Sequence, residues 1–145
     1  LYTEMKERSK RGELRFAVAM TSSKKIDHIG IVPAVNDAMR RALTRLNVHP
    51  EECMVLLDGG LKAPKKYLHQ ETIIKGDEKV YAIALESSAA KVMRDEKMRN
   101  LGYQYPAYGF EQHKGYGTRA HYLAVKKNGI CLEHRLSFMQ KVLSV

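Results

Sequence analysis

The stretch CMVLLDGG, residues 53–60, constrains the fold of this chain most: an apolar run is broken at once by a carboxylate and two glycines. A continuous apolar run of this length suits a strand buried on both faces, and paired glycines end it in a turn. The reading is a buried strand that stops at Asp58. Upstream, LRFAVAM at 14–20 reads as a second short strand. Between the two lies the clearest amphipathic helix of the chain. Pro33 suits its first turn, and Ala34, Val35, Ala38, Met39, Ala42, Leu43 and Leu46 recur along one face. Arg40, Arg41 and Arg45 are read as the solvated or phosphate-facing side of that helix. Strand, helix and strand form a βαβ unit with a right-handed crossover, and functional groups in such sheets collect at the carboxyl ends of strands. Asp58 sits at such an end.

The remaining punctuation gives the other elements. Residues 2–11 are polar helix formers closed by Gly12, and Ser22, Ser23, Lys24 and Lys25 read as a basic loop. Thr72, Ile73 and Ile74 form an expected strand followed by a Gly76-Asp77 turn. A helix is expected from about Ser88 to Leu101. On it Asp95 falls between Val92 and Met98, with Ser88 and Lys91 on the same face, so the acid is not on an obviously solvated stripe. Gly115 and Gly117 bracket Tyr116 just before a short helix capped by Thr118 and closed by Asn128-Gly129. Free backbone N–H groups at such a helix start favour anions. No internal repeat or interdomain linker stands out, and the expectation is one domain over residues 1–145.

Charge narrows the partner. Lys and Arg number 25 against 16 Asp and Glu, a formal net charge of +9 that favours a polyanion such as nucleic acid. No apolar run reaches the roughly 18 residues that span a bilayer, and the basic start lacks the apolar core of a signal peptide. A soluble, cytoplasmic monomer with no membrane partner is expected. Cys53 and Cys131 are too few for a disulfide framework and are read as structural.

Asp58, Asp95 and the loop from Lys114 to Thr118 carry the chemistry. Taken singly, each has a structural explanation: Asp58 starts a turn, Asp95 pairs with Arg94 or Lys91, and the Gly-Tyr-Gly loop is a connection. Taken together they suggest metal-assisted phosphodiester hydrolysis, because hard Mg²⁺ or Mn²⁺ prefers carboxylate oxygens and a basic rim attracts phosphates. Two carboxylates are too few for a complete two-metal site.

MVLLDGG, QETIIKGDEKVYAIALESSAAKVMRDEKM, YPAYGF, HKGYGT, His121 and HRLSF resemble, in order and spacing, the carboxyl-terminal two thirds of ribonuclease HII, the type 2 ribonuclease H, over about residues 21–138. The resemblance implies an α/β, ribonuclease H-like fold, a mixed sheet flanked by helices, with a quartet of Asp, Glu, Asp and Asp. Asp58 matches the third of these and Asp95 the fourth, both as metal ligands. It implies Mn²⁺ or Mg²⁺ as cofactor and RNA–DNA hybrid, or DNA containing ribonucleotides, as substrate. Cleavage on the 5′ side of a ribonucleotide would leave 5′-phosphate and 3′-hydroxyl ends. Tyr116 matches the tyrosine that stacks on the sugar beside the cleavage junction. Lys75, Lys91, Arg94, Lys114 and Arg135 are candidates for phosphate contacts or for orienting carboxylates, and His121 and His134 are expected to serve structural hydrogen bonding.

The chain also departs from the pattern. The family's strand with an Asp-Glu pair and its Gly-Arg-Gly loop, which reads the 2′-hydroxyl, do not occur among these residues. The expectation is an amino-terminally incomplete domain of impaired activity, and the rival reading is a catalytically inactive, basic nucleic-acid-binding fragment of the same fold. Gly30 and Gly60 stand where the family favours Asn, and Glu86 replaces a small residue, either perturbing the fold or lying harmlessly at a strand end.

Overall fold

The computed structural model describes residues 1–143 and has an α/β architecture, rich in helix, around a small parallel sheet. The chain divides into two compact units. One comprises Leu1–Thr21 and Ile31–Lys91, the other Ser22–Gly30 and the described residues from Val92 onward.

In the first unit, helix α1 (Tyr2–Lys10) is closed by Arg11 and by Gly12 at φ 74°. Helix α3 (Ile31–Leu46) starts one residue after Gly30, and its stripe packs as expected: Met39 and Leu43 lie against the cluster of Leu57, Ala63 and Tyr67. Strand β1 (Val55–Asp58) ends at the anticipated carboxylate and pairs in parallel with β2 (Gln70–Ile73), in a register that sets Val55 opposite Gln70 and Asp58 opposite Ile73. Parallel neighbours usually need a helical crossover. Here the connection, 59–69, is held by side chains instead. Gln70 accepts from Ala63 N–H at 2.9 Å and donates to the Tyr67 carbonyl at 2.8 Å, while Thr72 donates to the Leu61 carbonyl at 3.1 Å. Tyr67, only 1% exposed, fills the space under that loop.

Two sequence expectations are corrected in this unit. Residues 14–20 form no strand, so the βαβ unit expected through α3 is absent and the sheet among the described residues is two-stranded. A strand exists only if its backbone groups find a ladder, and here side chains take the carbonyls: Arg45 donates to Val18 O at 2.6 Å and Arg41 to Met20 O at 2.8 Å. The same bonds revise the arginine face of α3. Arg41 also binds Asp37 at 3.0 Å and Thr21 at 3.0 Å, so it ties the preceding segment down rather than facing only solvent.

Helix α2 (Ser23–Ile29) replaces the expected basic loop of the second unit. Ser22 is its N-cap, accepting from Lys25 N–H, which is why a Ser-rich start reads equally as loop or helix. After β2 come the single turn α4 (Gly76–Lys79) and the long helix α5 (Tyr81–Gln104), which begins seven residues before the expected Ser88. A 3-10 turn (Pro106–Tyr108), α6 (Phe110–His113), α7 (Arg119–Asn128) and α8 (Leu136–Leu143) complete the chain. Helix α7 obeys its sequence signals: Thr118 accepts from His121 N–H and Gly129 closes it. The core here is Leu101, Tyr108, Phe110, Val125 and Met139. Asp27 of α2 caps α8, accepting from Leu136 N–H at 2.6 Å and Ser137 N–H at 3.1 Å. No helix among the described residues is long and apolar enough to cross a membrane.

Candidate functional site

The parallel register brings the chain leaving β2 alongside the end of β1. Lys75 turns there into the left-handed region at φ 55°, and the following N–H, of Gly76, donates to Asp58 Oδ1 at 2.9 Å. One oxygen of this exposed carboxylate is thereby oriented by backbone. Gly76 is required by space: a Cβ would stand 2.6 Å from Ile83 Cδ1 and 3.5 Å from Asp58 Oδ1. Ile83 is itself buried, 5% exposed, so it has to shift within packed surroundings to make room. Gly76→Val is therefore expected to destabilise the fold by about 1–3 kcal/mol through overpacking. Urea unfolding measures it, and a midpoint equal to that of the unsubstituted chain refutes the argument.

Glu86 lies on α5, one turn beyond Ile83, and not at a strand end, one of the two alternatives the sequence left open. The residue as a whole is exposed, yet its carboxyl is pushed above the ordinary range, first by desolvation and then by the charge of Asp58. A carboxyl raised by burial and by a neighbouring carboxylate in this way suits a divalent cation with hard oxygen ligands. Among the described residues, no group of three or more His, Cys, Asp or Glu side chains converges to hold a metal ion. The donor chemistry at Asp58, a carboxylate oxygen oriented by backbone, fits a hard cation such as Mg²⁺ or Mn²⁺.

In the second unit Asp95 lies half-buried on α5, in line with the face expected for it. Its neighbour Arg94 is committed. The guanidinium sits 4.4 Å from the centre of the Tyr116 ring and donates to Tyr116 Oη at 3.0 Å and to the Lys114 carbonyl at 2.7 Å. Lys114, at φ 53°, and Gly115, at φ 78°, make the reversal that presents Tyr116, which is 61% exposed. Such a ring, fixed at its hydroxyl but open to solvent, is suited to stack on a sugar or base.

Beneath the loop are three buried histidines. His113 and His121 stack at 4.1 Å, and Nε2 of His121 lies 3.1 Å from Nε2 of His134. His121 Nδ1 meets the Tyr116 carbonyl at 2.9 Å. The hydrogen-bonding role expected for His121 and His134 is what the structure shows. Burial, the largest cause, holds both below the usual histidine pKa. The unfolded chain takes up protons at these positions below about pH 6.5 while the folded chain does not until lower pH. Stability is therefore expected to fall as pH drops below the unfolded histidine value of about 6.5 toward the lower folded values. Denaturant midpoints across that range check the sign; a midpoint that rises on acidification contradicts it.

A family model described as Ribonuclease HII matches residues 2–141. The chain belongs to the ribonuclease HII family. Ribonuclease HII of Caldicellulosiruptor bescii is 44% identical over 132 residues, covering 91% of this chain and 63% of that protein. The Endomicrobium trichonymphae protein is 45% identical over 129 residues, covering 89% and 60%, and that of Vibrio parahaemolyticus 41% over 138 residues, covering 95% and 62%. The chain thus spans about three fifths of the length of the curated relatives it matches.

Set against this ribonuclease HII frame, the residues expected from sequence fall as follows. Asp58, Lys75 and Lys91 are in the first unit, and Arg94, Asp95, Lys114, Tyr116 and Arg135 in the second. Arg94, Lys114 and Tyr116 are brought into one cluster. Lys75 pairs with Glu78 at 3.5 Å, Lys91 is exposed on α5, and the Arg135 guanidinium lies 3.8 Å from the Phe138 ring centre. Sequence reasoning missed Gly76 as the group that orients Asp58. The signal was present, since IIKGD places a glycine directly after the partner strand.

Proposed function

We propose that this chain carries part of the active site of an endoribonuclease that hydrolyses the RNA strand of RNA–DNA hybrids and nicks on the 5′ side of ribonucleotides in duplex DNA, with two Mg²⁺ or Mn²⁺ ions. The observation that carries this reading is Asp58 at the carboxyl end of β1, held by the Gly76 N–H beside Glu86. Asp58 and Asp95 would each serve as a metal ligand. Bound divalent ions supply activated water and stabilise the leaving 3′ oxygen. The chain's own residues orient the substrate. Tyr116 stacks on the deoxyribose next to the junction, Arg94 fixes that ring, and Lys75, Lys91, Lys114 and Arg135 meet phosphates. These contacts position the duplex, while recognition of the 2′-hydroxyl separates RNA from DNA. The protein acts as a cytoplasmic monomer in ribonucleotide removal from DNA, and residues 1–145 act within a single catalytic domain.

The test is cleavage of a labelled duplex containing one ribonucleotide, with Mn²⁺ or Mg²⁺. The 145-residue chain is compared with the same chain extended by the amino-terminal segment of a relative. Nicking by the extended protein on the 5′ side of the ribonucleotide supports the proposal, and silence of the 145-residue chain then shows that its own carboxylates do not suffice. Failure of both, with retained duplex binding, favours a basic nucleic-acid-binding module instead.

A further inference from the structure

We infer that His121 and His134 are positioning residues for Tyr116: a one-way hydrogen-bond relay that sets the loop carbonyl of Tyr116 and opens on acidification, so that junction discrimination depends on pH. The inference rests on the reading of Tyr116 as the ring that meets the sugar beside the junction.

The geometry permits one order of protons. Cys131 N–H donates to His134 Nδ1 at 2.9 Å, which places the proton of the neutral ring on Nε2. That N–H points at His121 Nε2, 3.1 Å away, which must then accept. The remaining proton of His121 is on Nδ1 and is donated to the Tyr116 carbonyl at 2.9 Å. Every ring nitrogen of the pair is occupied. An added proton has no free lone pair and must break a link, because protonating His121 Nε2 sets two N–H groups against each other.

The surroundings keep the relay dry and directed. His121 is 2% exposed and His134 5%. The titratable groups facing them are His113, stacked 4.1 Å from His121; Tyr122, 6.3 Å from His121; Tyr108, 5.0 Å from His134; and Cys131, whose backbone starts the chain of bonds. Phe110 walls both rings, at 5.8 Å from His121 and 5.4 Å from His134. His113 is bonded separately, accepting from Gly115 N–H at 3.1 Å and meeting the Tyr108 carbonyl at 2.6 Å. Apolar residues would fill this volume without the cost of burying imidazoles. The relay instead ends on the backbone of the one exposed ring whose hydroxyl Arg94 already holds. Tyr116 is thus fixed at both ends, and the histidine end is the one that titrates.

The experiment measures, in the full chain, the ratio of affinities for a duplex with one RNA-to-DNA junction and for an all-DNA duplex, near neutral pH and at mildly acidic pH. The ratio cancels the general gain in basic charge. Side-chain nitrogen NMR reads the histidine tautomers alongside it. For the unsubstituted protein the ratio is expected to fall about fivefold on acidification, the worth of one hydrogen bond. His121→Phe loses it at both pH values. His121→Asn, whose amide N–H takes the place of Nδ1–H, keeps it at both. If His121→Phe does not fold, His134→Gln serves, since its amide retains a donor toward His121 and removes one titrating ring; it keeps the ratio at neutral pH and flattens its fall. A His121→Phe ratio equal to the unsubstituted one, or tautomers opposite to the order above, overturns the relay. Tyr116→Ala separates the two readings: if it leaves the ratio unchanged, the junction role of Tyr116 fails, while the tautomers and the acid-induced shift of the Tyr116 loop signals still decide the relay.

Discussion

Asp58→Asn in the amino-terminally extended protein is expected to lower hybrid cleavage by about a thousandfold or more while leaving duplex binding and the fold in place. The reason lies in which properties the substitution changes. Asn keeps an Oδ1 that accepts from Gly76 N–H, so the 2.9 Å bond anchoring the end of β1 to α4 survives. It removes the negative charge that a divalent ion requires of a hard oxygen ligand. Metal ions contribute several kcal/mol of transition-state stabilisation, and each 1.4 kcal/mol is tenfold in rate, which gives the expected factor. Asp95→Asn should act alike, since this half-buried acid on α5 is the other proposed ligand. Single-turnover cleavage of a hybrid, with binding measured separately by anisotropy, distinguishes lost chemistry from lost contact. Hydrogen exchange of the Gly76 amide verifies that the anchor remains. Turnover of the Asp58→Asn protein at the unsubstituted rate would remove Asp58 from the mechanism.

The sequence made legible what depends on local composition. An apolar run cut off by Asp58-Gly59-Gly60 can only be a strand that stops there, and β1 does. The Thr118 cap, the Gly129 close and the apolar stripe of α3 are likewise matters of a few neighbouring residues. What escaped depends on partners distant in the chain. Residues 14–20 have strand composition, yet composition does not reveal that Arg41 and Arg45 take the carbonyls a ladder would need. The start of α5 was hidden because Val80, Tyr81 and Ile83 are β-prone types and Glu86 broke the familiar pattern, so the helix declared itself only from Ser88 onward. Gly76 reaches Asp58 through strand register, across eighteen positions of sequence. Arg94, expected to meet phosphate or to orient a carboxylate, is held by Tyr116 and Lys114, a contact that arises because the loop folds back onto α5.

Phe110→Ala should produce the largest loss of stability, about 3–5 kcal/mol, because a fully packed aromatic is removed from a core with no means of collapsing. Phe110 is 3% exposed and stacks on Tyr108 at 5.6 Å between centroids, with Tyr105 edge-on at 6.4 Å. Its other contacts are His113 at 5.8 Å, His121 at 5.8 Å and His134 at 5.4 Å. The ring is therefore both a core residue and the dry wall of the histidine group. Since typical domains are stable by about 5–15 kcal/mol, such a loss takes much of the margin. The void borders imidazole rings, so water entering it would raise the polarity around them even while their ring nitrogens keep their present partners. Water around His121 and His134 would relieve the burial that lowers their pKa values, moving both upward. The acid-induced loss of stability in Phe110→Ala should then be smaller than in the unsubstituted chain, because folded and unfolded pKa values lie closer together. Paired denaturation curves at neutral and mildly acidic pH test both effects. An acid sensitivity equal to that of the unsubstituted chain, in a variant that is destabilised as expected, would show that the wall contributes packing but does not control the titration of the histidines.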